Sequence, residues 1–245
     1  MTDILANVTA VQERIAQAAR KAGRAPGEIT LVAVTKTWSV DVVLAAYEAG
    51  LRHFGENRTN ELAEKKTAVS HILGADNGIT WHFIGALQSR QSRFVADFAD
   101  TFHALDRLKI ARRLSAHCQK NGRTLPVYLE VNVSGEASKS GFQMSNWEES
   151  ETQQAEMRTV VDTVRQMPGL QVVGLMTMAP WRASQDEIRA VFRRTRELAH
   201  WLETAVPGVQ LPQLSMGMTD DFELAIAEGA THVRIGRALF GSRSQ

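Results

Sequence analysis

A single cysteine, Cys118, stands in 245 residues. One thiol closes no internal disulfide framework and builds no cysteine-rich metal site. Its place in a helical stretch, residues 106–120, predicts a buried thiol rather than a nucleophile. An excess of either charge is also missing: Lys and Arg total 28 against 27 Asp and Glu, a formal net charge of +1. That balance gives no electrostatic case for nucleic acid or for an anionic membrane surface. No apolar run approaches the roughly 20 residues that a membrane span needs. The start, Met1-Thr2-Asp3-Ile4-Leu5, has no basic segment followed by an apolar run, so no signal peptide is expected. No linker rich in Pro, Gly or Ser and no low-complexity tract breaks the chain. The expectation is one soluble, cytoplasmic domain over residues 1–245. At 44% hydrophobic the chain can bury a substantial core.

What is present is a rhythm of short apolar runs alternating with helical periodicity. A leading helix is marked by Ile4, Val8, Val11 and Ile15. Strand-like runs follow at 29–35, 52–56, 81–85, 126–133, 172–178, 213–216 and 232–236, with a faint one at 101–104. Helical stretches lie between them, at 39–50, 59–70, 89–98, 106–120, 147–166 and 220–228, with a stripe from Ile188 to Leu202 behind a Ser184/Glu187 capping box. Eight strands, each followed by a helix, predict a closed (β/α)8 barrel with an extra N-terminal helix. An open doubly wound sheet is the alternative, because the fourth strand is so weak.

In such a barrel the chemistry sits at the carboxyl ends of the strands. Lys36 ends the first strand. Burial near other cations would lower its pKa and free the amine to attack a carbonyl; a lysine snorkelling to the rim is the plainer reading. The run from Ser215 to Asp221 leaves the seventh strand with small residues (Gly217) and hydroxyls (Ser215, Thr219), and it opens a helix, a pattern that suits an anion. Gly236, after the eighth strand, lets the backbone approach a ligand. Together these two loops match the phosphate cup that barrels build after strands seven and eight. Side-chain alternation sets Val32, Val34 and Lys36 on one face, Gly55 with Asn57, and Arg234 with Gly236. A phosphate cup, an amine and an inward arginine suit a phosphorylated aldehyde. Pyridoxal phosphate fits, with its ring nitrogen toward Arg234. His53, His82 and His232 lack partners at metal-ligand spacing, so packing roles and no metal are expected.

The segments around Lys36, Phe54-Gly55-Glu56-Asn57, Trp81 to Gly85, Ser138-Lys139-Ser140-Gly141, Gly174 to Met178 and Val233 to Gly236 resemble, in order, the pyridoxal phosphate homeostasis proteins. These are single-domain relatives of the alanine racemase barrel. The resemblance implies pyridoxal 5'-phosphate held as a Schiff base on Lys36. It implies phosphate contacts from Ser215, Gly217, Met218, Thr219, Gly236 and Arg237, with Arg234 near the pyridine nitrogen and Asn57 near the cofactor. It implies buffering of intracellular vitamin B6, effects on amino-acid and keto-acid balance, and no established turnover, with pyridoxal-phosphate-dependent apoenzymes as partners. Two departures stand out. Arg90-Gln91 replaces the family's Asn-Lys, with Arg90 and Arg93 keeping some positive charge in that loop, and Thr219 replaces a serine while keeping the hydroxyl.

Two arguments separate the chain from a racemase. Five residues, Gly241–Gln245, follow the last helix, so no second domain and a monomer are expected. An arginine facing the ring nitrogen donates to it and leaves it unprotonated, a poorer electron sink. A Schiff-base aldolase barrel is the competing enzyme reading; it asks for an acidic or tyrosine partner, for which Glu56 and Glu130 are the nearest candidates, each with a rim salt bridge as its plainer role. A pure interaction module would show exposed apolar residues, and Trp147, Trp181 and Trp201 are each expected to be half-buried against the barrel.

Overall fold

A computed structural model describes residues 3–241. The Met1-Thr2 start and residues 242–245, on which the signal-peptide and second-domain expectations partly rest, lie outside the described residues.

Helix α1 (Ile4–Lys21) opens the chain, capped by Asp3, whose side chain accepts from Ala6 N–H at 3.0 Å. It buries Val8, Val11 and Ile15, three of the four residues that marked it in the sequence. The ring then builds as β1 (Thr30–Val34), α2 (Val40–Glu48), β2 (His53–Glu56), α3 (Thr59–Leu73), β3 (Thr80–Phe83), α4 (Ser92–Phe98), β4 (Thr101–Leu105), α5 (Leu108–Lys120) and β5 (Leu125–Asn132). It continues through a two-residue strand β6 (Phe142–Gln143), α6 (Glu151–Arg165), β7 (Leu170–Met176), α7 (Gln185–Ala205), β8 (Gln213–Ser215), α8 (Phe222–Ala227), β9 (His232–Ile235) and α9 (Arg237–Phe240). All pairings are parallel. The order β4-β3-β2-β1-β9-β8-β7-β5 is closed by β4 on β5, with β6 hung on the end of β5. The closed barrel of eight strands is therefore present and the open sheet is excluded. Among the described residues no helix is long and apolar enough to cross a membrane.

Three local readings change. β4 is fully buried along its five residues; it reads as faint because Thr101 and His103 are polar and find partners inside. The helix read from residue 147 begins at Glu151, because Ser150 caps it by accepting from Gln153 N–H at 3.3 Å. Trp147 lies in the preceding turn, buried against Trp201, whereas Trp181 is 73% exposed on a loop. β6 has no sequence signal of its own, since two residues carry no periodicity.

Gly174 marks the tightest strand approach. A Cβ there would run into the carbonyl oxygen of Gln213 on β8. Both atoms belong to paired backbones, which cannot rotate away. Gly174→Ala is expected to destabilise the barrel by about 3 kcal/mol or more, read as a lowered midpoint in urea.

Candidate functional site

The site is built on three adjacent strand ends. β1 ends at Val34, β2 and β9 pair with it on either side, and a Cβ on Gly55 would meet Val32 and Val34 at 3.0 and 3.7 Å. A Cβ on Gly236 would meet Val34 again, at 3.4 Å from its Cβ. Lys36, Asn57 and Gly236 therefore follow neighbouring strands around one arc of the mouth, with Lys36 half-buried.

The backbone on both sides of Lys36 is clamped. Thr35 donates its hydroxyl to Glu56 Oε1 at 2.6 Å, and its carbonyl accepts from Lys65 Nζ at 2.7 Å. Thr37 N–H donates to Glu61 Oε2 at 2.6 Å. Lys65 bridges the two acids, at 2.7 Å from Glu56 and 3.2 Å from Glu61. Thr37 is held at φ 69°, a left-handed conformation unusual for a β-branched residue. Burial raises the Glu56 carboxyl, against the lowering pull of Lys65 and Thr35. Glu56 is thus fully buried and paired with Lys65, below the exposed rim where its sequence reading set it. The sequence singled out neither Lys65 nor Glu61; their i, i+4 spacing on α3 was the available signal.

On the far side of β9, Gly217 (φ 95°) lies so near α8 that a Cβ would sit 3.0 Å from Phe222 Cα. Met218 N–H donates to Asp221 Oδ1 at 2.5 Å. The N–H groups of Thr219, Arg237 and Ala238 have no acceptor among the described residues. The Arg237 guanidinium pairs with Asp220 at 2.6 Å. So the cup offers an anion chiefly backbone N–H groups. Ser215 points elsewhere: its Oγ accepts from Arg234 Nη1 at 2.7 Å and lies 2.7 Å from His103 Nδ1, inside the barrel. Arg234 also donates to the carbonyls of Ser215 (2.6 Å) and Thr177 (3.0 Å). Three of its five N–H donors are spent and two remain. Burial pulls its pKa down to about 10, so it stays a cation at neutral pH. Asn57 Oδ1 is buried without a partner.

Glu130, on β5, is pushed up to about 7, first by burial and then by Asp106, with Arg234 opposing. Tyr128, two residues earlier, stacks on His103 at 4.2 Å and bonds to Gln213. Lys139, in the loop after β5, reaches Met178 O at 2.9 Å and ties that loop to the one after β7. Arg90 bonds Gln88 at 3.1 Å on the exposed turn between β3 and α4. Cys118 is buried in α5, and burial raises its thiol. Among the described residues no group of three His, Cys, Asp or Glu is arranged to hold a metal.

The polar groups suit a phosphorylated aldehyde: free N–H groups for the anion, an amine two residues beyond β1, two spare guanidinium donors and an orphan amide oxygen that can accept. Residues 6–244 match the model of the alanine racemase N-terminal domain. A pyridoxal phosphate homeostasis protein of Pseudomonas aeruginosa is 42% identical over 99% of this chain and 97% of its own. The structure of PipY from Synechococcus elongatus, with pyridoxal phosphate bound, superposes with a TM-score of 0.79 at 32% identity, over 94% of this chain and 100% of that one. An alanine racemase from Clostridium difficile shares the fold, with a TM-score of 0.70 at 15% identity, and this chain spans 57% of it.

Proposed function

Because the chain belongs to the pyridoxal phosphate homeostasis proteins, built on the alanine racemase N-terminal barrel, we propose that it binds pyridoxal 5'-phosphate and buffers its supply. In this reading Lys36 carries the cofactor through its aldehyde. The backbone of Gly217, Met218, Thr219, Gly236 and Arg237 holds the phosphate, and the Thr219 hydroxyl adds a donor. For Met218 to contribute, Asp221 must give up its N–H. Asn57 serves as a neighbour of the bound ring. Ser215 acts through Arg234 rather than on the phosphate, since its hydroxyl is already engaged inside the barrel.

When bound, the cofactor supplies an electron sink whose strength depends on protonation of its ring nitrogen. Arg234 can only donate, so it keeps that nitrogen unprotonated and the sink weak. This supports a holder and releaser of cofactor, in one cytoplasmic, monomeric domain that delivers to apoenzymes, without turnover of its own. The aldolase reading asks for an acid or a tyrosine free to serve Lys36. Glu56 is committed to Lys65 and Thr35, and Tyr128 to Gln213 and His232; Glu130, buried, raised to about 7 and without the expected salt bridge among the described residues, lies on β5, across the ring from β1, and together these weigh against it.

The observation that carries this reading is the placement of Lys36 beside a cup of unpaired N–H groups on the neighbouring strand ends. Protein incubated with pyridoxal phosphate and then freed of the unbound excess should keep a visible absorbance band that borohydride removes, and peptide mass mapping should place one pyridoxyl group on Lys36. Colourless protein after that separation, or an adduct on another lysine, would overturn it.

A further inference from the structure

Inside the barrel, beneath the mouth, three histidines on consecutive strands form a hydrogen-bonded column. His53 Nδ1 lies 3.0 Å from His82 Nε2, His82 Nδ1 lies 2.8 Å from His103 Nε2, and His103 Nδ1 lies 2.7 Å from Ser215 Oγ, which holds Arg234. His82, His103 and Ser215 are buried, while His53 is half-buried at the start of β2.

A neutral imidazole has one donor nitrogen and one acceptor. Both nitrogens of His82 and of His103 are engaged, so each link fixes the next. Two patterns satisfy all three links. In one, Ser215 donates to His103 and every ring carries its proton on Nε2. In the other, every ring carries its proton on Nδ1, and Ser215 accepts from both His103 and Arg234, which frees its own hydrogen. Any mixture sets two donors or two bare lone pairs against each other in the interior.

We propose that His53, His82 and His103 are positioning residues: a tautomer-locked column that sets the direction of the Ser215 hydroxyl and, with Arg234, the donors offered to a ligand in the mouth. The ligand's identity rests on the reading above; the lock does not.

The groups facing the column keep charge out of its middle. His82 is faced by His53 and His232. His103 is faced by His82, His232, Arg234 and the Tyr128 ring. Glu130 and Asp221 bear on Arg234. Burial first, then these neighbours, hold His82 and His103 well below the ordinary histidine range, and His232 at about 4. His53, lowered by burial alone, is the member open to acid. Once it carries both protons, its Nδ1–H must donate to His82, and the second pattern follows. The protons balance: the column gains one in all, each link hands one toward His53, His53 ends with two, and Ser215 keeps its hydroxyl hydrogen.

Nitrogen-15 NMR of the full chain labelled at histidine, without ligand, reads each tautomer as pH falls. His82 and His103 should carry Nε2–H at neutral pH. They should switch together to Nδ1–H as His53 titrates, below its usual value of about 6.5, with neither gaining charge. His53→Gln should abolish the switch. Binding of pyridoxal phosphate should then change by roughly tenfold across the same titration in the wild type, one hydrogen bond's worth, and show no such step in His53→Gln. Mixed tautomers, or rings that stay fixed while His53 titrates, would overturn the column. Failure to take up pyridoxal phosphate at any pH would instead overturn the proposed function and leave the NMR result to decide the lock.

Discussion

Lys36→Ala, loaded with pyridoxal phosphate and freed of the unbound excess, should show no visible band, and after borohydride it should carry no pyridoxyl group. The variant keeps the N–H groups of Thr219, Arg237 and Ala238 and the remaining donors of Arg234. Phosphate recognition therefore survives while the covalent anchor is lost. Affinity should fall by a hundredfold or more, about 2.7 kcal/mol at 25 °C. Lys36→Arg tests the chemistry more sharply: it keeps the positive charge but offers no amine that reacts with an aldehyde. If charge alone held the ligand, Lys36→Arg would bind nearly as the wild type does. Covalent capture requires both variants to lose the adduct alike. Adduct formation at full yield in either variant, at some other lysine, would refute the role given to residue 36.

The second large effect lies behind that lysine. Lys65 is 95% buried and donates to Glu56, to Glu61 and to the carbonyl of Thr35. Lys65→Met strands Glu56, which is fully buried, and should cost about 3–5 kcal/mol at neutral pH. The pH dependence has a definite sign. Burial already raises the Glu56 carboxyl, and without Lys65 it rises further. A carboxyl raised in the folded state favours folding in acid and loses that advantage as pH climbs through its folded value. The gap between wild type and Lys65→Met should therefore narrow as pH falls toward 4.3, about the unperturbed glutamate value. Urea denaturation at several pH values reads this directly. A gap that widened in acid would rule out the stranded carboxylate as the cause. The double variant Lys65→Met/Glu56→Gln should recover much of the loss, because it removes the uncompensated charge.

The ring of strands and the positions of Lys36, Gly236 and Arg234 were legible because parallel-sheet strands are nearly unbroken apolar runs, and residues at their carboxyl ends fall at the mouth by construction. β4 reads as faint for the opposite reason: its inward face carries His103, whose polarity is met by His82 on the neighbouring strand and by Ser215, 112 residues away. Distance in sequence also hid the link between Ser215 and Arg234, so a hydroxyl that reads as a phosphate ligand turns inward instead. The histidine column did leave a trace. His53, His82 and His103 lie on three consecutive strands, and each step to the next strand climbs two residues, as Gly55 pairing with His82 and His82 with Thr101 make plain. Reading that diagonal needs the register, which single-strand patterns do not contain. The clamp of Glu56, Glu61 and Lys65 was hidden by charge, since a lysine on a polar helix ordinarily faces water.

Among the described residues, a closed ring with a filled interior leaves the carboxyl ends of the strands as the way to Lys36. Val32, Tyr128, His103 and their neighbours pack the middle of the ring, and β4 meets β5 to close the wall. On the proposed function, cargo held at Lys36 would leave by the way it came. A recipient protein would then have to face that opening or wait for the ligand in solution, so delivery and reloading would compete for the same gate.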